Sequence, residues 1–258
     1  MLRLLRTVRY LKPVQVTNRL SRRFIKPRIS SGDTPPFKFA SGCWETVAPL
    51  PASILDADTA CFLNESGPLA HWQNPEKSLL WLYNLHYFDD LNAEHSVQRL
   101  IAHRALIGRW LQNNPVASGV GWQPYPVSLR IVNWVKWLLA GNEPVPGMLD
   151  SLFQQAHMLS QQLEYHLQGN HLLANAKALL FAGSCFEGEL AELWLTKGLE
   201  LLSQQHREQI LADGAHFELS PMYHAIILMD VLDIIQLGEC YPSGAVNEKL
   251  LALRDSAT

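Results

Sequence analysis

An all-α body, its helices paired as hairpins in an incomplete (α/α) toroid, is the fold that the sequence predicts. Three observations predict it. Apolar residues recur at helical spacing from residue 94 onward, between loop-like breaks such as Asn113-Asn114-Pro115 and Gly141-Asn142, and strand signals are sparse. The helical segments alternate in composition. SLRIVNWVKWLLA (128–140), HLLANAKALLFA (171–182) and MYHAIILMDVLDIIQL (222–237) are apolar nearly all round, as helices covered on both sides are. The segments between them carry polar faces: Gln154, Gln155, Gln161, Gln162 and Glu164 in one, Glu189, Glu192, Lys197 and Glu200 in the other. Connections are short, so neighbouring helices run antiparallel and every second one points the same way. Inner, outer, inner, outer, inner is the order of a ring of helical hairpins; an ordinary layered bundle is the alternative.

Taken along the chain, residues 1–32 form a basic arm and 33–93 an irregular, aromatic-rich lead-in; 94–258 form the partial toroid. Helices are expected over 94–113, 128–140, 147–168, 171–182, 189–209 and 222–237, with a seventh starting near Ala245. The arm holds nine bases (Arg3, Arg6, Arg9, Lys12, Arg19, Arg22, Arg23, Lys26 and Arg28) and no acid, which leaves 12 bases against 24 acids in the remainder. Such an arm can bind nucleic acid, touch an anionic membrane or dock on its own acidic domain. A solvated arm is the first expectation, a membrane-surface anchor the second and a nucleic-acid arm the last, because no basic-aromatic module supports it. Leu2, Leu5, Arg6, Arg9, Leu20 and Phe24 suit one or two short amphipathic helices, and the arginines interrupt any signal-peptide-like run.

Composition narrows the class further. At 258 residues, 48% hydrophobic and 17% charged, the chain is too apolar for a disordered segment and too long for a disulfide-stapled mini-protein. No stretch approaches the roughly 18 apolar residues of a membrane span. Cys43, Cys61, Cys185 and Cys240 form no CxxC pair and no zinc-ligand spacing, so they read as small core residues.

Three motifs precede the starts of the inner helices, which the alternation places on one rim. The first is Gly121-Trp122-Gln123-Pro124-Tyr125-Pro126, leading into Arg130, Asn133 and Trp137 on one helix face. Prolines that hold Trp122 and Tyr125 outward beside the Arg130 guanidinium suit a polyhydroxylated ring bearing a carboxylate; the competing reading is an aromatic plug with Arg130 paired to a structural acid. The second is Gly169-Asn170-His171, with Asn175 one turn later. Asn170 suits an N-cap, while the positive end of the helix favours a neutral His171 imidazole that can act as a base. The third runs from Asp213 to His224, DGAHFELSPMYH. Ser220 and Pro221 open a helix there, Tyr223 falls in its first turn as a proton shuttle, and His216 and Glu218 are close enough to orient it. An amide, an imidazole and a phenol together suit proton abstraction beside a carboxylate, hence β-elimination from a uronic-acid-containing polysaccharide. No metal or cofactor enters that scheme. A hydrolase alternative pairs Asp89 or Asp90 with Asp213 or Glu218, and a non-enzymatic one keeps the cleft for glycan binding or envelope polysaccharide assembly.

At GWQPYPVSLRIVNW, GNHLLANAKALLFAG and DGAHFELSPMYH the sequence resembles the heparinase II/III family of polysaccharide lyases, in its N-terminal α/α-toroid domain. Residues 81–88 (WLYNLHYF) and the head around Arg6–Leu20 share the likeness. The resemblance implies catalytic roles for Asn170, His171 and Tyr223: Asn170 neutralises the uronate carboxylate, His171 or Tyr223 takes the proton, and Tyr223 serves as the acid. Trp122, Tyr125, Arg130, Asn133, Tyr87, His86, His224 and Glu218 are the corresponding substrate-binding candidates. It also implies an acidic polysaccharide as partner, together with a C-terminal β-sandwich domain, in cis or in trans, that closes the cleft. This chain carries no such strand-rich region, so little or no activity is expected from it alone. A periplasmic location is implied by the resemblance, with cytoplasmic and membrane-peripheral locations as alternatives.

Overall fold

Helices without a polar side need cover on both flanks, and the chain supplies it by nesting one helical layer inside another. The structure, a computed structural model, describes residues 11–24, 26–40, 42–242 and 247. Its helices are α1 (Pro13–Phe24), α2 (Leu79–Tyr87), α3 (Leu100–Asn113), α4 (Pro124–Leu139), α5 (Met148–Ser160), α6 (Gly169–Cys185), α7 (Glu189–Gln209) and α8 (Pro221–Cys240). The inner layer runs α2, α4, α6, α8, each packed on the next, and α3, α5 and α7 back it. This is the all-α partial toroid. Nearly every residue of α4 from Pro124 and of α6 from Leu172 is buried, as their composition requires.

The differences from the expected elements have local causes. The lead-in is not irregular throughout: β1 (Thr59–Phe62) and β2 (Glu65–Pro68) pair as an antiparallel hairpin, and α2 follows, capped by the Ser78 hydroxyl. α4 starts at Pro124, earlier than 128, because proline at the first helical position loses no hydrogen bond. The segment expected as a helix over 147–168 stops at Ser160, and turns carry the chain to the next start. α7 runs as expected. The helix expected from Ala245 lies outside the described residues. α8 departs most from its inner role: Ile226, Leu228 and Ile235 are exposed, because no described residue covers that side. By length and composition alone α8 could cross a membrane, but its Asp230 and Asp233 bind Lys177 of α6 and tie it to the ring.

The arm is not simply solvated. α1 lies on the outer layer, where Gln15 donates to the His166 carbonyl and Arg22 to the Gln162 carbonyl, and Asn18 meets His166. Beyond it, Gln161 and Gln154 exchange hydrogen bonds with the backbone of Arg28 and Ser30. The glutamines that made α5 look solvent-facing are thus the arm's docking ground.

Arg130 is the hub beneath the rim, not a rim residue. It is fully buried, with Nε donating to Gln155 Oε1 (2.9 Å), Nη1 to the His86 carbonyl (3.1 Å) and Nη2 to the Gly121 carbonyl (2.7 Å). Its guanidinium lies 4.0 Å from the centre of the Trp110 ring. Neutral acceptors and a π-face, not an acid, hold this cation, and its donors are all turned away from any opening. His86 is equally interior. Trp110 Nε1 donates to its Nδ1 (2.9 Å), which leaves the proton on Nε2 to bond the Trp72 carbonyl (3.0 Å). Burial first, and Arg130 second, push its pKa down to about 3. Gly121 must lack a side chain here, since a Cβ would sit 2.5 Å from His86 Nδ1. Trp122 is buried too, donating to the Asn114 carbonyl and leaning on Trp110. Trp122, Arg130 and His86 are therefore corrected from substrate-facing candidates to packing residues: the aromatic plug is what forms.

The cysteine expectation is corrected as well. Cys43 and Cys240 form a disulfide with a Cα–Cα separation of 5.5 Å, stapling the lead-in to the last residue of α8, whereas Cys185 is a buried free thiol.

Three outcomes follow from this packing. Arg130→Leu leaves three buried acceptors unsatisfied and is expected to lower stability by at least about 3 kcal/mol in urea denaturation. Reducing the disulfide, which spans 197 residues, should cost about 5 kcal/mol in the same assay. His86 binds its proton more weakly folded than unfolded, so stability is full above its ordinary pKa and falls as pH drops below it. Between about pH 7 and about pH 5 the loss should be about 2 kcal/mol, and His86→Gln should flatten that slope.

Candidate active site

α4 and α6 run parallel, so their starts share a rim. The register is set by Asn175, fully buried, whose amide donates to Ser128 Oγ (3.0 Å) and to Glu164 Oε2 (3.1 Å) while its carbonyl accepts from the Glu164 N–H (2.7 Å). Ser128 in turn donates to the Pro124 carbonyl. One asparagine thereby joins the second turns of two helices to the turn that precedes the second helix.

The entry to α6 is bent sharply. Gln168 has φ 63° and ψ −158°, a region nearly reserved for glycine, and Gly169 follows at φ 55°. Gln168, not Asn170, occupies the N-cap position. Asn170 lies inside the first turn, so its amide is released from capping, reaches toward the Tyr125 hydroxyl and favours the ionised phenol. His171 stacks beside Tyr125 with ring centroids 4.3 Å apart. Its Nδ1 lies 3.3 Å from Glu164 Oε1, off the line of a hydrogen bond. Tyr87 packs edge-on against Tyr125 at 5.9 Å. Burial, then the carboxylates of Asp230, Glu164 and Asp89, push the Tyr125 pKa up to about 12. Tyr125 is thus a protonated hydroxyl, a donor. Arg22 of α1 approaches the same rim, near enough for its charge to act on Tyr83 while itself acted on by Glu164.

Beside the rim is a cavity of about 330 Å³ between α4, α6 and α8, with Asp89, Asn133, Lys136, Lys177, Asp230 and Asp233 among its walls. Lys177 Nζ holds Asp230 (2.7 Å) and Asp233 (2.5 Å), and Lys136 pairs with Asp233 as well. Burial pulls the Lys177 pKa down, but the two aspartates more than offset it and the net shift is upward. Burial and the neighbouring Lys177 bring Lys136 down to about 8, against Asp233. Asp89 is shifted up by burial, although Asn133 donates to its carboxylate at 2.7 Å. Asn133 also donates to the Tyr87 carbonyl, so its amide orients the cavity wall.

The structure gathers Asn170, His171, Tyr125 and Tyr87 at the rim and places Asn133 in the adjoining cavity. It does not bring Tyr223 to them by direct contact. Tyr223 is half-buried in the first turn of α8, and among the described residues its ring neighbour is His216, at 6.1 Å. His216 is buried against Gln209, while Glu218 and His224 are exposed. Ser220 stands at the N-cap of α8 but its side chain makes no capping bond. The carboxylates of the hydrolase alternative do not pair: Asp90 is consumed by Arg99, His103 and the backbone of Ser53 and Ile54, and Asp213 accepts the N–H of Ala215 in its turn. Sequence reading put Glu164 on the polar face of a continuous helix and not at the site, because the segment's turn after Ser160 was read as helical. It also missed the Lys136, Lys177, Asp230 and Asp233 cluster, although a lone lysine in an otherwise apolar helix facing a D-x-x-D helix was a usable signal. Among the described residues no group of three or more His, Cys, Asp or Glu side chains forms a metal site.

Comparison with known proteins agrees with the helical fold. The family described as heparinase II/III N-terminus matches residues 105–245, which hold Tyr125, Asn170 and His171 but not Tyr87. A heparin-sulfate lyase of Pedobacter heparinus is 33% identical over 126 residues, 45% of this chain and 19% of that one. Another heparin-sulfate lyase, of Bacteroides thetaiotaomicron, is 32% identical over 142 residues, 50% of this chain and 20% of that one. The aligned stretches thus span about a fifth of these relatives' length. The crystal structure of a heparan sulfate lyase from Pedobacter heparinus superposes with a TM-score of 0.58 at 21% identity, over 95% of this chain and 42% of that one, a likeness of fold. By the match over more than half its length, and by the helical ring that the match falls on, the chain belongs to the heparinase II/III N-terminus family.

Proposed function

We propose that this chain is the toroid part of a polysaccharide lyase, forming one wall of a cleft for a uronic-acid-containing glycan. The observation that carries the reading is the convergence of Asn170, His171 and Tyr125 on one rim, with Glu164 behind the imidazole. In a β-elimination, the proton on the carbon beside the carboxylate goes to a base. Its electron pair closes a double bond, the glycosidic C–O bond breaks, and the departing oxygen takes a proton from an acid. No water is consumed. Asn170 suits the carboxylate, because its donors can follow the charge that develops on it. His171 suits the base, with the Glu164 carboxylate 3.3 Å away to stabilise the imidazolium that forms. Tyr223 remains the proposed acid, and Tyr125, held protonated, is a second phenol already in place to donate.

The substrate class rests on the heparin-sulfate lyase relatives, and the periplasmic location on the family resemblance. The Cys43–Cys240 bond supports an oxidising compartment. A second reading, glycan binding without turnover, is favoured by Tyr223, whose ring neighbour among the described residues is His216 and not a rim residue.

Ultraviolet absorbance separates the two. Incubated with heparan-type and other uronate glycans, the chain, alone or combined with the β-sandwich part of a related lyase, should generate an absorbing unsaturated end. His171→Ala and Asn170→Ala should then each lower turnover about a hundredfold or more, with Tyr223→Phe and Tyr125→Phe identifying the acid. New reducing ends without that absorbance would sink the elimination. Binding that persists through all four substitutions, with no product, would establish the non-catalytic wall.

A further inference from the structure

α1 sits on the body the wrong way round for an amphipathic helix. At about 100° per residue, Gln15, Asn18 and Arg22 share one side, and these three make the hydrogen bonds that dock the helix. The opposite side carries Val16, Leu20 and Phe24, spaced i, i+4, i+8, with Leu20 54% and Phe24 83% exposed and no α1 residue buried. Arg19 and Arg23 line one edge of that apolar stripe and are exposed. A helix that needed only to cover its own domain would turn the stripe inward. Here polar bonds hold it outward.

We propose that α1 is a membrane-surface helix, whose stripe enters the boundary between headgroups and acyl chains of an anionic bilayer while its polar side stays docked on the toroid. Charge selects this occupant. The first 32 residues carry nine bases and no acid, whereas the remainder carries twice as many acids as bases. An anionic surface therefore repels the body and attracts this face, which orients the molecule as well as binding it. Two copies meeting stripe to stripe would bring Arg19 and Arg23 of each into like-charge contact. An acidic glycan would use the arginines but has no use for Leu20 and Phe24.

Flotation of the full chain with lipid vesicles tests the proposal. The chain should float with vesicles containing about a third phosphatidylglycerol, not with phosphatidylcholine alone, and added salt should weaken binding. Leu20→Gln with Phe24→Gln should cut the affinity about tenfold or more, as removal of inserted apolar side chains requires. Arg19→Gln with Arg23→Gln should act similarly on anionic vesicles. All four side chains are exposed, and circular dichroism checks that the variants fold. Failure to float with anionic vesicles overturns the proposal, as does unchanged flotation of the Leu20/Phe24 variant. Self-association abolished by that variant, or glycan binding lost with it while vesicles are ignored, would assign the stripe to a second copy or to substrate instead.

Discussion

A single buried amide fixes the geometry on which the candidate site depends. Asn175 bridges Ser128 of α4 and both the backbone and the carboxylate of Glu164, so the two inner helices cannot slide past each other without stranding polar groups in a dry interior. Because the bridge lies one turn below the rim, it levels the two helix starts. Tyr125, Asn170 and His171 then face one another as a consequence of packing. The same amide holds the carboxylate that backs the imidazole, so architecture and chemistry share one residue.

Below the rim, two different solutions for buried charge divide the molecule. Arg130 is satisfied by carbonyls, a glutamine and an indole, an arrangement that immobilises the loop before α4 without adding an acid. Lys136 and Lys177 are satisfied by Asp230 and Asp233 instead. Ion pairs of this kind contribute little net stability but penalise any arrangement that separates them. α8, whose outer side no described residue covers, is thereby held in register on the ring, alongside its buried Ile227, Ile234 and Leu237 and the Cys43–Cys240 bond, and the cavity wall keeps its charges in fixed positions.

Much of the architecture was legible because periodicity reports burial directly. The all-round apolar segments did become α4 and α6, and α7 ran over the residues its pattern marked. Site composition was less legible, because a tryptophan or arginine suited to gripping a sugar is equally suited to plugging a gap between helices. Trp122, Arg130 and His86 took the second role, and only the position of neighbours such as Trp110 decides which. Glu164 was hidden by a helical pattern that continued through a turn. The Cys43–Cys240 link leaves no local trace at all, since nothing within either neighbourhood announces a partner so distant in the chain. α1 was foreseen as amphipathic, but its orientation depended on His166 and the Gln162 carbonyl, in turns that had read as continuous helix.

The back-to-back left-handed residues Gln168 and Gly169 make the entrance to α6 a ratchet with a single tooth. A helix that begins after an ordinary loop can start one residue sooner or later at little cost. This one starts from two successive positive-φ residues, Gln168 and Gly169, and both would have to shift with it. A slip of one residue would swing the imidazole by about 100° around the helix axis, away from both Tyr125 and Glu164. Single-residue insertions or deletions between Glu164 and Asn170 are therefore the changes this scaffold has least room to absorb, even though the segment lies at the surface.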